Sequence, residues 1–145
     1  MAQSKGVFRY GEDRLTAGMA LSLARGENSG IVSETTLERI RLSHERVQLL
    51  VAKGTPVYGI NTGFGPLCTT KISAADTRLL QENILKSPSV GVGPPGEQEI
   101  SKLMLILNVH ALAIGYSGIA EKTLHRIVWH IETDILPVVP AQGSV

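Results

Sequence analysis

Residues 33–66 read SETTLERIRLSHERVQLLVAKGTPVYGINTGFGP, and the pattern of this stretch changes at Gly54. Before that glycine, apolar residues recur at steps of three and four beside a charged face, which predicts an amphipathic helix. After it, residues 57–66 hold three glycines and one proline without a helical period, which predicts an ordered loop over residues 55–70. The sequence therefore predicts a long helix that leads directly into a glycine-rich loop.

The long helix is predicted to begin at Ser33 or Thr35 and to end at Lys53. Thr35 and Glu38 have the spacing of a capping box, in which two side chains satisfy N–H groups of the first turn. Gly54, followed by a proline two residues later, supplies the signal for the end of the helix. One face is expected to pack against the rest of the fold. The residues of that face are Leu37, Ile40, His44, Val47 and Val51.

Most of the remaining chain is also predicted to be helical. Four further helices are expected, over residues 16–25, 73–86, 97–114 and 119–134. The third helix of the chain should end near residue 86, because Pro88 disfavours helical geometry at the residue before it. A second loop rich in glycine and proline is expected over residues 90–96. No repeat, low-complexity tract or linker divides the sequence, so we expect a mainly α fold and a single domain across residues 1–145.

The composition excludes several classes of protein. The 145 residues contain 14 Lys+Arg and 13 Asp+Glu, and no basic run with interleaved aromatic residues indicates a nucleic-acid partner. Cys68 is the single cysteine, which fits a reducing compartment. The polar N-terminus has no apolar signal-peptide core, and polar residues and glycines interrupt the apolar residues 103–120, so no membrane span is expected. A cytoplasmic location is therefore predicted.

Phosphate and metal sites are also not expected. The glycines of residues 59–65 and 91–93 match neither a dinucleotide fingerprint nor a Walker A loop. No pair of histidines has ligand spacing beside a third ligand, so the metal prediction is none. His44 and His110 lie on apolar faces, where a hydrogen-bonded core histidine is the common outcome, and His125 and His130 are five residues apart, too far round a helix to share a face well.

Tyr58 is the residue of the first loop that could carry chemistry. It lies beside Asn61 and away from any apolar stripe, and a tyrosine in a closed, partly dry site can exchange a proton with a substrate. The alternative is a turn residue whose ring packs and whose hydroxyl bonds to the backbone. The residues alone leave both interpretations open.

Four ordered motifs resemble one enzyme family. Residues 57–65, Val-Tyr-Gly-Ile-Asn-Thr-Gly-Phe-Gly, look like the signature loop of the aromatic amino acid ammonia-lyases, which comprise histidine, phenylalanine and tyrosine ammonia-lyases and related aminomutases. Residues 80–84 followed by 91–93, and then residues 111–118, fall in the family's order and spacing. Residues 140–145, Pro-Ala-Gln-Gly-Ser-Val, are similar to the lead-in to the family's Ala-Ser-Gly tripeptide. The resemblance covers essentially the whole chain.

The resemblance implies the N-terminal helical domain of an ammonia-lyase-like fold with ordered glycine-rich loops. In that family the tripeptide cyclises into 4-methylidene-imidazol-5-one, and a loop tyrosine removes the β-proton of an aromatic amino acid. By this match Tyr58 would be the catalytic base, while Asn61 and Gly65 would bind substrate. The family assembles as a homotetramer that combines site residues from several subunits. The sequence is therefore expected to be the front part of a longer lyase, inactive by itself.

The resemblance favours histidine as substrate and urocanate as product, with two departures. Histidine ammonia-lyases usually have Ser-His at a substrate-selecting position where this chain has Ser87-Pro88, and the family often has Arg-x-Asn where this chain has residues 108–110, Asn-Val-His. Ser87 and Pro88 are therefore predicted to contact substrate. Phenylalanine or tyrosine ammonia-lyase, or an aminomutase, is the alternative enzyme. A helical interaction module without catalytic activity is the alternative of another class.

Overall fold

The computed structural model describes residues 5–54, 56–62, 72, 74–87 and 89–143. These residues form five helices and four short strands, so the mainly α prediction is confirmed. In chain order the elements are β1 (Val7–Arg9), α1 (Ala17–Ala24), β2 (Ser29–Ile31), α2 (Glu34–Lys53), α3 (Ala74–Lys86), β3 (Val92–Pro95), α4 (Gln98–Ala113), α5 (Glu121–Thr133) and β4 (Pro140–Gln142).

The chain divides into two compact units. The first contains residues 1–44 and 96–139, and the second contains residues 45–95 and 140–145. The division falls inside α2, so this helix contributes its N-terminal half to the first unit and its C-terminal half to the second. The single domain across residues 1–145 stays a prediction.

The core of the first unit lies between its helices and the β1–β2 pair. These two strands run parallel, with Phe8 opposite Gly30, and α4 contacts both α1 and α5. The rings of Phe8 and Tyr10 meet edge to face, with centroids 5.6 Å apart, a favourable geometry for an aromatic pair. The parallel strands were not predicted, because three residues are too few to show an alternating pattern. Fully buried core residues include Ile40, Ile106, Val109 and Leu124.

The start of α2 corrects the predicted cap. The Oγ atom of Ser33, not Thr35, accepts a hydrogen bond from the backbone N–H of Thr36 at 3.1 Å. The carboxylate of Glu12 accepts from the hydroxyls of both Ser33 and Thr36. Glu12, which is distant in sequence, thus holds the hydroxyl of the cap residue and that of Thr36 at the first turn. The helix end at Lys53 and the positive φ of Gly54, +68°, agree with the prediction.

The second unit contains a strand where a loop was predicted. Residues 92–95 form β3, which pairs antiparallel with β4, placing Val92 opposite Gln142. Glycine and proline are poor strand formers, so the local pattern predicted a loop over residues 90–96. The partner strand lies more than forty residues later in the chain, and a local pattern contains no information on it.

Helix α4 is apolar on two faces. One face enters the core, whereas the other leaves Ile100, Met104 and Leu107, together with the C-cap residue Ile114, between 43% and 53% exposed. Successive members of this set are four, three and seven residues apart, so they form a continuous stripe along one side of the helix. None of the helices in the described parts of the chain is both long and apolar enough to cross a membrane.

Candidate active site

The turn after α2 places Tyr58. The backbone N–H groups of Ile60 and Asn61 both donate to the carbonyl of Val57, at 3.0 and 3.2 Å. In the opposite direction, the N–H of Val57 donates to Oδ1 of Asn61 at 2.8 Å. Gly59 has a φ of +75°, a conformation that other residues rarely adopt. Hydrogen bonds in both directions across one glycine therefore fix the backbone on either side of Tyr58.

The side chains of this turn differ sharply in burial. Asn61 is 6% exposed and Thr62 only 1%, whereas Tyr58 is 63% exposed. The buried pair anchors the turn in the second unit and the tyrosine lies on its surface. Both interpretations of Tyr58, as a base and as a turn residue, stay predictions.

Asn61 has a structural role in addition to any contact with a substrate. Its Oδ1 accepts from Val57, and its backbone carbonyl accepts from the N–H of Ile72 at 3.1 Å. Asparagine side chains commonly stabilise turns by hydrogen-bonding to nearby backbone groups. Asn61 thus connects both ends of the loop, and its binding of substrate stays a prediction.

The other predicted substrate-binding residues lie apart from this turn or outside the described residues. Ser87 follows the C-terminal end of α3, is exposed, and donates its backbone N–H to the carbonyl of Asn83 at 2.9 Å. Gly65 and Pro88 lie outside the described residues, so their roles stay predictions. The structure therefore brings Tyr58 and Asn61 together in one turn and places Ser87 on another element of the same unit.

Two glycines of the quoted family motifs, Gly91 and Gly143, lie at the β3–β4 pair, a position that the sequence did not predict. A Cβ added at Gly91 would lie 2.5 Å from the ring of Pro140, and one added at Gly143 would lie 3.3 Å from the Cα of Gly91. A side chain at residue 91 would overlap the Pro140 ring, whereas one at residue 143 would require its neighbour to move by only a few tenths of an ångström. The pair holds residues 140–142, the first part of the segment that resembles the lead-in to the cofactor tripeptide.

Two histidines, His44 and His110, connect separate segments of the fold. Nδ1 of His44 donates to the carbonyl of Gly118 at 2.8 Å, and Nδ1 of His110 accepts from the N–H of Gly11 at 3.2 Å. Burial lowers the pKa of His110, which favours the neutral form that can accept this bond. Both histidines are hydrogen-bonded, as predicted, but each is half-buried rather than in the core. Across the described ranges, no group of three or more metal-binding side chains is found.

The sequence model of the aromatic amino acid lyase family matches residues 15–145. The chain belongs to this family. Among its curated relatives, the histidine ammonia-lyase of Shouchella clausii is 39% identical over 139 residues, which are 96% of this chain and 28% of that protein. The tyrosine ammonia-lyase of Cupriavidus metallidurans is 34% identical over 131 residues, which are 90% of this chain and 25% of that protein.

A solved structure of the family has the same fold. The crystal structure of histidine ammonia-lyase from Trypanosoma cruzi matches with a TM-score of 0.81 at 28% identity, covering 95% of this chain and 27% of that chain. The fold predicted from the resemblance is therefore confirmed. This lyase-family chain spans about a quarter of the length of the relatives that it matches.

Proposed function

We propose that this chain supplies the catalytic tyrosine of an ammonia-lyase that acts on an aromatic L-amino acid. The observation that carries the proposal is the contrast within one turn: Tyr58 is 63% exposed while its neighbours Asn61 and Thr62 are buried. A base that must reach a substrate atom needs a fixed backbone and an accessible side chain, and this turn supplies both.

The reaction needs two groups. The β-proton of an amino acid is weakly acidic, so a positioned base and an electrophilic activator are both required. Tyr58 accepts the β-proton, and ammonia leaves with formation of an α,β-unsaturated acid. The family's 4-methylidene-imidazol-5-one supplies the electrophile when it is present. Residues 1–145 contain no Ala-Ser-Gly sequence, so these residues do not themselves form that group.

Histidine is the proposed substrate, with urocanate as the product, in a cytoplasmic enzyme of histidine catabolism. The support is that bacterial relatives named histidine ammonia-lyase reach 37–40% identity, whereas the tyrosine ammonia-lyase is 34% identical and the histidine ammonia-lyase of Homo sapiens 33%. Ser87-Pro88 is the feature that favours the alternative, phenylalanine or tyrosine, because a proline side chain cannot hydrogen-bond an imidazole. The aminomutase alternative shares the same base and fold.

We also propose that the working protein is a homotetramer. The apolar stripe of α4, from Ile100 to Ile114, supports this assembly, since exposed apolar patches of this kind mark protein interfaces. A helical interaction module would use the same stripe without chemistry. The two functions differ in whether Tyr58 affects turnover.

A chimera tests the proposal. Residues 1–145 replace the aligned segment of the Shouchella clausii histidine ammonia-lyase, and urocanate formation is followed by ultraviolet absorbance. We expect the chimera to convert histidine and the 145-residue chain alone to form no urocanate, cinnamate or coumarate. A folded chimera without activity toward histidine, phenylalanine and tyrosine would favour the interaction module. Steady product formation by the chain alone would contradict the need for a separately supplied electrophile.

A further inference from the structure

A cavity of about 260 Å³ lies in the first unit. Its walls come from the β1–β2 region, α1, α4 and α5, and the lining residues among those the structure describes belong to that unit. The Tyr58 turn belongs to the other unit. The polar and charged residues of the described lining are Lys5, Tyr10, Asn28, Ser29, Lys102, Glu132 and Asp134.

Tyr10 brings a hydrogen-bond donor to this cavity. The residue is 1% exposed, and its hydroxyl makes no hydrogen bond to the described residues. No side-chain polar atom of the described residues is fully buried without a partner, so the small exposed area of Tyr10 includes this hydroxyl, at the cavity. Burial, with the negative charge of Glu132, raises the pKa of Tyr10 to about 12. The hydroxyl therefore keeps its proton at neutral pH and can donate it.

Gly30 holds the Tyr10 ring in place. A Cβ at residue 30 would lie 2.4 Å from two ring carbons and 2.5 Å from the hydroxyl oxygen of Tyr10. The ring is therefore packed directly on the backbone of β2. A buried hydroxyl without an acceptor costs free energy, and a rigid ring cannot turn away to find one.

Lys102 brings a second, charged donor. It is 8% exposed, and its ammonium pairs with the carboxylate of Asp134, which is the C-cap of α5. An ammonium has three N–H donors, and this pair accounts for one of them. The carboxylate of Asp134 is itself largely exposed. The cavity thus combines a buried hydroxyl and a buried ammonium, both of which suit a carboxylate ligand.

Glu132 gives the cavity an acidic side, which suits a positively charged group on a ligand. Glu132 is exposed and lines the same cavity, and its charge acts on Tyr10. A negative group beside two donors suits a molecule that carries an ammonium next to its carboxylate. The volume, about 260 Å³, exceeds that of several waters at ~30 Å³ each and falls below that of usual drug-sized sites.

We infer that this cavity binds a free α-amino acid, with its carboxylate on Tyr10 and Lys102 and its ammonium on Glu132. The inference does not rest on the role proposed for Tyr58. A site of this kind, in a different unit from the Tyr58 turn, would let an amino acid act as an effector as well as a substrate.

Titration calorimetry on the 145-residue chain tests the inference, with glycine, L-histidine, acetate and methylammonium as probes. We expect both amino acids to bind more than about tenfold more tightly than either single-charge probe, because two charge-assisted contacts act together. Tyr10→Phe should weaken glycine binding by about tenfold, since one hydrogen bond is lost. Tyr58→Phe should leave it unchanged.

The Glu132→Gln variant tests recognition of the ligand's ammonium group separately from that of its carboxylate. The substitution should weaken the binding of glycine but not that of acetate, because it removes a negative charge beside Tyr10. Glu132 is exposed, so the fold should be retained, which circular dichroism checks. Acetate binding as tightly as glycine would overturn the amino acid assignment. If Tyr58→Phe and Tyr10→Phe weakened glycine binding equally, the ligand would not be bound specifically at Tyr10. The absence of binding heat with every probe would contradict the existence of the site.

Discussion

The backbone N–H of Gly11 donates a hydrogen bond to Nδ1 of His110 at 3.2 Å, across 99 residues of sequence. This bond fastens the segment after β1 to α4, and the ring of His110 also packs against Phe8 with centroids 5.6 Å apart. The acceptor is available only on a neutral imidazole. The contact therefore couples the stability of the first unit to pH.

We expect the free energy of unfolding to fall as the pH drops below about 6.5. Burial lowers the pKa of His110 in the folded chain, with Asp13 opposing this effect, so the unfolded chain binds the proton first. The contribution is complete above the unfolded pKa and is lost as the pH decreases below it. His110→Asn keeps an acceptor near the position of Nδ1 but cannot titrate, so urea unfolding between pH 5 and 8 should show a shallower slope for this variant. If the free energy of unfolding of the variant changed with pH as steeply as that of the wild-type chain, His110 would not be the source of the pH dependence.

Gly11→Ala should destabilise the chain by about 2 kcal/mol or more, because strain and overlap act together. Gly11 has a φ of +78°, and an added Cβ would lie 2.4 Å from the carbonyl oxygen of Ala113. Gly18→Ala is the matched control. Nothing lies within 4 Å of a Cβ at Gly18, which is within α1, so this change should be neutral or stabilise by up to ~1 kcal/mol. Thermal unfolding of both variants measures the difference.

Tyr58→Phe should lower kcat by about 10²–10⁴-fold in the active chimera, with a much smaller change in KM. The ring remains and only the proton-accepting oxygen is removed. Tyr116→Phe is the control, since Tyr116 is 90% exposed and lies in the turn between α4 and α5. Near-normal turnover of Tyr58→Phe would assign this tyrosine to the turn structure alone.

Pro88→His should raise kcat/KM for histidine relative to phenylalanine in the same chimera. A site that hydrogen-bonds a polar substrate group discriminates strongly, whereas apolar contacts discriminate by only about 1–3 kcal/mol for a methylene-sized difference. The measurement is the ratio of the two kcat/KM values before and after the change. A constant ratio in a folded variant would place the choice of ring elsewhere in the protein.

Sedimentation velocity should reveal association of the chain that depends on concentration and on α4. Leu107 is 53% exposed in the middle of the apolar stripe, so Leu107→Glu should shift the chain towards the monomer. Val138→Glu is the control, because Val138 is 76% exposed and lies outside α4. A wild-type chain that stays monomeric at high concentration would contradict self-association through this stripe.

Much of the helical framework could be predicted from local patterns. The N-cap of α1 at Thr16, which accepts from the N–H of Met19, and the end of α2 before Gly54 both follow from residues within one turn of the helix. The choice between Ser33 and Thr35 as the cap of α2 could not be made in this way. It depends on the carboxylate of Glu12, more than twenty residues away.

The sequence by itself determined the helices, the glycine-rich turn and the family, because periodicity, capping and ordered motifs are all local properties of the chain. Only the tertiary structure decided which polar groups meet. Folding pairs β3 with β4, joins Gly11 to His110 by a hydrogen bond, and brings Tyr10 and Lys102 to one cavity. It also buries Asn61 while leaving Tyr58 exposed three residues away. The physical reason is that burial and long-range hydrogen bonds depend on where distant segments pack, which no local pattern encodes.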